Sequence, residues 1–408
     1  MSIKRKETSW RKRFFTIWTG QAVSLLTSSI VQYALIWYLT EQTGSAAILS
    51  WASLVGLLPM ALFSPFIGGL VDRLDRKTIM IVSDGAIALV SLALVIAGWN
   101  GSLSVGLIMV ALFLRALGSA FHQPCLQAAT PLIVPEDQIT KCGGYTFAFQ
   151  SISQILSPVL AAVLFAALPI SQVILVDLIG AAAGIFGIAM FEIPSPKALG
   201  AKLHVFRDAL EGLKALRAHK GFLGLVAISA VFSVAFVPAS SLYPLMVTGY
   251  FGGTSWQLGL VEVVFSVGML LGGLIIGVWG GTKDKMKTMA PAIVVLGAAV
   301  LAAGLLPSSG YVAFAVCTFV MGLAAPFFTT LSMALLQERI APELLGRALG
   351  VTTSLTALAC PVGLFISGLT ADKIGLSSWF LLSGVVTLVC AALCILLPSV
   401  RRVDGEAK

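Results

Sequence analysis

The sequence has very little charge for its length. Only 11% of its 408 residues are Asp, Glu, Lys or Arg, and 58% are hydrophobic, whereas a water-soluble protein carries roughly 25% charged residues. Charge-free runs of some twenty residues recur along the whole chain, a pattern that one large soluble core does not explain. Because about 20 apolar residues cross the hydrocarbon core as a helix, and lipid offers no partner for free backbone groups, the sequence predicts an all-α membrane protein.

The apolar runs are numerous enough for twelve transmembrane helices. The predicted spans are 14–40, 46–71, 78–98, 103–128, 143–167, 170–191, 221–248, 255–280, 288–306, 311–337, 348–371 and 377–399. The first run is too long for a removable signal peptide and is followed by no small-residue cleavage site. We therefore expect it to be retained as a span.

The few charges are distributed asymmetrically. If the N-terminus is cytoplasmic, 24 of the 26 Lys and Arg residues fall in segments on the cytoplasmic side. Only Lys373 and Arg115 lie elsewhere. Because Lys and Arg accumulate in cytoplasmic loops, this pattern predicts two cytoplasmic termini. It also assigns the net charge of +8 to the lipid bilayer and the cytosol, and not to a nucleic-acid partner.

Groups that serve enzymes and metal sites are scarce. The chain has three histidines and six cysteines, and every cysteine lies in or beside a span. Cys390 and Cys394 share a helical face but lack further ligands. The spans contain no nucleophile–base or metal constellation, so we expect no catalytic residue, no metal site and no cofactor. A GxxxxGK[ST] loop is also missing, which argues against direct use of ATP but leaves open a separate ATP-binding partner subunit.

The longest hydrophilic stretch divides the spans six and six. We expect an N-terminal half at 1–191, a cytoplasmic linker at 192–220 and a C-terminal half at 221–408. Apolar residues at helical spacing within the linker predict an amphipathic helix on the inner leaflet. "LIVPEDQITKCGG" after span 4 is similar to "ERIAPELLGRALG" after span 10. Paired, pseudo-symmetric six-helix halves are typical of secondary transporters, whose substrate site lies between the halves.

One turn, "GGLVDRLDRKTIM", concentrates five charges between spans 2 and 3. One interpretation is a cytoplasmic gate, in which Gly68 permits close helix contact and Asp72 faces a helix N-terminus. Basic side chains of the turn would then bind acidic partners or lipid phosphates. The gating residues of this interpretation are Gly68, Asp72, Arg73, Arg76, Lys77 and Asp84, the last pairing with the basic cluster from two turns into span 3. The alternative is an ordinary positive-inside loop.

Three further charges lie inside spans, where an ionisable group costs about 2.5–3.5 kcal/mol at the helix centre. Arg115, Asp177 and Glu262 are therefore candidates for proton coupling. Either carboxyl group would carry the proton, and Arg115 would tune the exchange. The alternatives are a structural ion pair for Arg115, hydroxyl partners for Asp177, and binding of a cationic substrate by either acid.

Polar and aromatic side chains at helical spacing predict a wet substrate cavity. The candidates are Gln21, Ser24, Ser28, Gln32, His122, Gln150, Gln154, Phe236 and Tyr243. His122 follows Arg115 by seven residues, on the same helical face. The alternative is that these side chains make hydrogen bonds between helices or simply pack.

The turn has the spacing G-x-L-x-D-R-x-x-R-K, which resembles the signature loop of the major facilitator superfamily. That family usually has glycine where this chain has Asp75. "QSISQILSPVLAAV" in span 5 is similar to the family's exporter-associated motif, with Ser157, Ala161 and Ala162 at its glycine positions. Arg115 resembles the basic residue of span 4 in proton-coupled exporters of the family.

A closer resemblance is to the macrolide-efflux branch of this superfamily. "TIWTGQAVSLLTSSI", "VDRLDRKTIMIVSD", "AFHQPCLQAATPLIVPEDQITKCGGY", "QSISQILSP" and "ADKIGLSSWFLLSG" carry it. The resemblance implies a multi-pass protein of the bacterial inner (plasma) membrane. It would export a bulky, weakly basic drug, most simply a macrolide antibiotic, by proton antiport and alternating access. A same-fold exporter of a siderophore or a lysophospholipid, and a non-transporting receptor or partner subunit, remain alternatives.

Overall fold

The computed structural model describes residues 2–71, 75–101, 103–193, 205–218, 221–282, 284–340 and 342–401. Side chains are not described for 2–9, 64–71, 205–209 and scattered other positions within these ranges. The regular structure of the described residues is helical throughout. The main helices are α1 Ser2–Thr43, α2 Ala46–Val71, α3 Arg76–Trp99, α4 Val105–Ile133, α5 Ile139–Ala167, α6 Ile170–Ala189, α7 Val205–Ala218, α8 Phe222–Leu245, α9 Ser255–Trp279, α10 Lys285–Leu305, α11 Tyr311–Arg339, α12 Pro342–Ile374 and α13 Leu376–Leu396.

Twelve of these helices coincide with the twelve predicted spans, which confirms the predicted fold class. Within the described residues, eleven are long and apolar enough to cross a membrane, and α5 contributes a shorter apolar stretch, Ile152–Ala167. The helices also extend beyond the apolar runs. The helix α1 begins at Ser2, twelve residues before the predicted span, because the preceding basic segment contains no proline or glycine to stop it.

The chain forms two compact units. The described residues of 1–39 and 55–203 make up the first unit, and those of 40–54 and 204–408 the second. In the first unit α3 packs against α4 and α6, and in the second α10 packs against α11 and α13. The third span of each half therefore has the same partners, its fourth and sixth. The predicted linker is described only in part, so the predicted domain bounds stay a prediction.

The start of α2 is held within the second unit by the end of α12. One carboxylate oxygen of Asp372 accepts hydrogen bonds from the backbone N–H groups of Ala46 and Ala47, at 2.7 and 3.2 Å. One turn further along, the hydroxyls of Ser50 and Ser367 lie 2.6 Å apart. A carboxylate from another helix thus satisfies two of the N–H groups that every helix leaves unpaired at its N-terminus.

Glycines let α9 and α11 pack with their backbones in contact. A Cβ atom on Gly272 would lie 2.2 Å from the carbonyl oxygen of Leu323, and one on Gly322 would lie 2.2 Å from that of Phe265. Small residues at such crossings are typical of membrane helices, whose association depends on close packing. Gly272 and Gly322 therefore have a packing role.

The linker contains the amphipathic helix that its sequence predicts. On α7, Ala215 and Leu216 are buried, and Leu216 joins a hydrophobic cluster of the second unit with Phe222 and Leu336. Leu210 and Leu213 on the same helix are exposed. Part of the apolar face thus packs on protein, while contact of the remainder with the inner leaflet stays a prediction.

Candidate functional site

The basic turn leads into the first turn of α3. Asp72 and Arg73 lie outside the described residues, and Gly68 is described only as part of α2. Lys77 donates hydrogen bonds from Nζ to the carbonyl oxygens of Ala189 and Phe191, at 3.1 and 2.9 Å. A cation is favoured there because a helix C-terminus carries partial negative charge. The partners of Lys77 are thus backbone carbonyl groups at the end of α6. They are not the acidic residues or lipid phosphates that the sequence predicts.

Asp75 caps α3. Its carboxylate accepts a hydrogen bond from the backbone N–H of Thr78 at 3.1 Å, the arrangement of a helix N-cap. Its φ is −67°, which any L-residue adopts, so this position has no conformational need for the glycine that the superfamily usually has. Arg76, the first residue of the helix, is buried and donates from Nη1 to the carbonyl oxygen of Ala128 on α4 at 2.9 Å.

Arg115 and Asp177 form a buried ion pair in the first unit. The Nη1 atom of Arg115 on α4 contacts Oδ2 of Asp177 on α6. The same carboxylate accepts hydrogen bonds from the hydroxyls of Ser28 on α1 and Ser91 on α3, each at 2.6 Å. We call these four residues the arginine layer. The layer contains both contacts that the sequence analysis gives as alternatives to proton coupling, an ion pair for Arg115 and hydroxyl partners for Asp177.

A second buried polar cluster lies nearer to the end of the unit where α3 begins. Asp84 on α3 accepts a hydrogen bond at Oδ2 from Nε2 of Gln21 on α1, at 3.1 Å. Its Oδ1 lies 3.4 Å from Nε2 of His122 on α4. Gly184 on α6 leaves the space for this contact, since a Cβ there would lie 3.1 Å from both Oδ2 of Asp84 and Nε2 of Gln21. We call Gln21, Asp84 and His122 the histidine layer.

The partners of Asp84 correct one expectation from the sequence. Asp84 was expected to pair with the basic cluster of the turn. Among the described residues its partners are Gln21 and His122, while Lys77 binds backbone carbonyls at the end of α6. Asp84 lies two turns into the helix, and it faces α1 and α4 there.

The two layers are in register on four helices. Each helix contributes one position to each layer, and the two positions are seven residues apart. The pairs are Gln21 and Ser28 on α1, Asp84 and Ser91 on α3, His122 and Arg115 on α4, and Gly184 and Asp177 on α6. Seven residues are nearly two full turns, a rise of about 10.5 Å. Two polar layers are thus stacked inside an apolar bundle.

An open pocket adjoins the histidine layer. Its polar lining comes from amide and hydroxyl side chains, and its aromatic lining from Phe14, Trp18 and Phe149. Trp18 donates a hydrogen bond from Nε1 to the hydroxyl of Thr146 at 3.2 Å, which fixes the indole against α5. None of the described lining residues is charged. Gln21 belongs both to the pocket wall and to the histidine layer.

The predicted cavity residues are found in several places. Gln21 and Gln150 line the pocket, Ser28 and His122 belong to the layers, and Ser24 is buried beside Gly184. Gln32 is half-buried and Gln154 exposed. In the second unit Phe236 stacks on Phe232 with ring centroids 5.1 Å apart, and Tyr243 and Glu262 are half-buried.

Sequence reasoning missed one wall of the pocket. Gln123, Gln127 and Thr130 on α4 line it, at spacings of four and three residues. This polar stripe within an apolar helix is the same signal that singled out residues on α1, and it would have identified these three side chains. The partners of Asp84 had no comparable signal, because they depend on how α1 and α4 are rotated about their axes.

Comparisons with known proteins agree with this architecture. A family model described as Major Facilitator Superfamily matches residues 17–250 and 239–408. The chain is 43% identical over 404 residues to Macrolide efflux protein A of Streptococcus pyogenes, covering 98% of this chain and 99% of the relative. It is 26% identical to Multidrug efflux pump Tap of Mycolicibacterium fortuitum, covering 93% and 94% of the two chains.

The fold is also similar to that of solved transporters. A bacterial homologue of the iron transporter ferroportin, crystallised in an inward-facing state, superposes with a TM-score of 0.69. The two chains are 16% identical, and the match covers 97% of this chain and 99% of the other. At this level of identity the likeness concerns the fold alone.

Proposed function

This chain belongs to the major facilitator superfamily, and we therefore propose that it is a secondary active transporter that exports a macrolide antibiotic. The single observation that carries the proposal is the 43% identity to Macrolide efflux protein A, over nearly the full length of both chains. The drug would leave the cytoplasm in exchange for protons, through alternating access of a transport site.

The lining of the pocket in the first unit supports a largely apolar substrate. The pocket is open, and most of its exposed lining is apolar with a few polar side chains, as is usual for small-molecule sites. Aromatic rings supply apolar contact area, and the side chains of Gln21, Gln123 and Gln150 offer hydrogen bonds. Such a wall suits a ligand with many hydroxyl and carbonyl groups.

Proton exchange is supported by the ionisable groups that the first unit buries. Arg115, Asp177, Asp84 and His122 are all at least 95% buried. Because burying such groups is costly, they are functional candidates by default. Glu262 in the second unit is a further candidate, as the sequence indicates. The membrane is the bacterial inner membrane, with both termini and the basic turn on the cytoplasmic side.

The test is export of radiolabelled erythromycin from cells that express the chain. We expect expressing cells to accumulate several-fold less drug than cells with an empty vector. The difference should disappear when a protonophore collapses the proton gradient. Equal accumulation in both strains would contradict macrolide export, and export that persists without the gradient would contradict proton antiport.

Reconstituted protein separates the remaining alternatives. In proteoliposomes with an imposed pH gradient, flux should be seen for erythromycin and not for a siderophore or a lysophospholipid. Glu262→Gln tests the contribution of that carboxyl group to drug-dependent proton movement. Glu338→Gln is the matched control, because Glu338 is an exposed partner of Lys285 at the end of α11.

A further inference from the structure

We infer that the Asp84–His122 pair is the proton-binding site of the first unit, and that Gln21 links it to the ligand in the pocket. The inference rests on the proposed function and names the residues that carry its proton. It assigns the exchange to the histidine layer and gives the arginine layer a structural role.

The arginine layer is unsuited to release and rebind a proton. Asp177 has donors on both carboxylate oxygens, from Ser28, Ser91 and the guanidinium of Arg115. Arginine keeps its charge in proteins, and protonating Asp177 would leave that cation buried without a counter-charge. Breaking one side of such a pair is strongly unfavourable, which suits the arginine layer to a structural role.

The histidine layer, in contrast, is suited to release and rebind a proton. Histidine is the side chain whose charge ordinarily changes between about pH 5 and 8, and Nε2 of His122 faces the carboxylate of Asp84 at 3.4 Å. With His122 protonated the pair is neutral overall. Loss of the Nε2 proton leaves a net charge of −1, which a single hydrogen bond from Gln21 offsets only in part. The pair can therefore hold one proton or none without an unpaired cation.

Among the described residues of its helices, the pair has no second acid close by. On α1 and α6 the facing residues are Gln21, Ser24 and Gly184, none of which is charged. Along α1 and α3 the next ionisable groups, Arg13, Arg76 and Lys77, come seven or eight residues earlier. On α4 and α6 they are Cys125, three residues beyond His122, then Arg115, Asp177 and Glu192, seven or eight residues away.

Gln21 connects the pair to the pocket. Its side chain is 1% exposed, its Nε2 donates to Asp84, and its Oε1 has no hydrogen-bond partner among the described residues. An unpaired buried acceptor is costly, and Gln21 lines the pocket. If the Gln21 side chain turned towards the pocket, a hydroxyl or amine donor of a bound ligand would satisfy Oε1 and polarise the amide bonded to Asp84. Ligand and proton would then change each other's affinity by the same factor.

The first experiment measures erythromycin binding to purified protein in nanodiscs at acidic and alkaline pH. We expect affinity in the unmodified protein to differ between about pH 5.5 and 8 by roughly fivefold or more. His122→Gln and Asp84→Asn should remove this difference while binding persists. His219→Gln, the same replacement in the linker, should keep it. A pH dependence that survives both layer substitutions would overturn the inference.

The second experiment does not depend on the drug being transported. The chain has only three histidines, so replacing His204 and His219 by Gln leaves His122 as the sole imidazole for isotope-edited NMR titration. We expect its midpoint to shift when Asp84→Asn is added, and to respond to erythromycin unless Gln21→Leu is present. An imidazole that does not titrate, or whose midpoint ignores Asp84, would sink the inference. A titration that depends on Asp84 in a protein that binds no erythromycin would instead refute the proposed substrate and leave the proton site standing.

Discussion

At the scale of single residues, two buried aspartates in neighbouring layers have different environments. Asp177 and Asp84 are both buried carboxylates. The first is held by a permanent cation and two hydroxyls, whereas the second accepts one amide hydrogen bond and lies 3.4 Å from a histidine nitrogen. What a buried acid can do depends on its donors more than on its burial. Sequence inspection could find all four ionisable residues and could not assign their partners, since Arg115 and Asp177 are 62 positions apart.

The arginine layer should contribute strongly to stability. Asp177→Asn leaves the guanidinium of Arg115 buried beside a neutral amide, so we expect a loss of about 3–5 kcal/mol. The melting temperature of the protein in detergent, measured by tryptophan fluorescence, should fall markedly. Ser28→Ala removes only one hydroxyl donor and should cost about 1 kcal/mol. If both variants melt together with the unmodified protein, the ion pair does not stabilise the first unit.

At the scale of helices, close packing is set by a few glycines. On α9, Gly272 meets the backbone of α11 at Leu323, while its neighbour Gly273 has no heavy atom within 4 Å of a Cβ position. The two residues differ only in the face of the helix on which they lie. The sequence "LLGGL" shows two adjacent glycines, and only the rotation of α9 against α11 distinguishes them.

This pair of glycines gives a matched test. Gly272→Ala would place a Cβ 2.2 Å from the carbonyl oxygen of Leu323, and the helices would have to separate, at a cost of about 1–3 kcal/mol. In Gly273→Ala the added Cβ has no heavy atom within 4 Å, and the higher helix propensity of alanine should stabilise the helix by about 1 kcal/mol. Thermal unfolding in detergent should therefore show a lower midpoint for the first variant and an equal or higher one for the second. The opposite order would mean that α9 turns a different face, with Gly273 instead of Gly272, towards α11.

The lengths of the helices were largely predictable, and their ends less so. Hydropathy alone places most spans within about six residues at each end, because a helix in lipid has to cover a fixed thickness. The early start of α1 and the capping of α2 by Asp372 do not follow from hydropathy. The first reflects continuous helix-forming residues outside the membrane, and the second a contact between residues more than 320 positions apart.

At the scale of the whole molecule, the basic residues predict how the chain lies in the membrane. Lys141 and Lys373 are both exposed, and the charge pattern assigns them to opposite faces of the membrane. The half-repeat was also predictable, because α3 and α10 have corresponding partners in the two units. The stacking of the two polar layers was not, since it requires four helices to be aligned along their axes.

Orientation can be tested by cysteine labelling. In a variant without the six native cysteines, Lys373→Cys should react with a membrane-impermeant maleimide in intact cells. Lys141→Cys should react only after the cells are permeabilised, because the positive-inside pattern keeps that loop in the cytoplasm. Reaction of Lys141→Cys in intact cells would invert the proposed topology and with it the direction of export.

The uncharged wall of the pocket should determine which drugs can bind there according to their charge. A weakly basic nitrogen can shed its proton before entry, whereas a quaternised nitrogen keeps its charge and would give up hydration without meeting a carboxylate among the described lining residues. Analogues carrying a fixed positive charge should therefore be retained by resistant bacteria. The reason is that the polar side chains of the described pocket wall are amides and hydroxyls, which do not neutralise a cation.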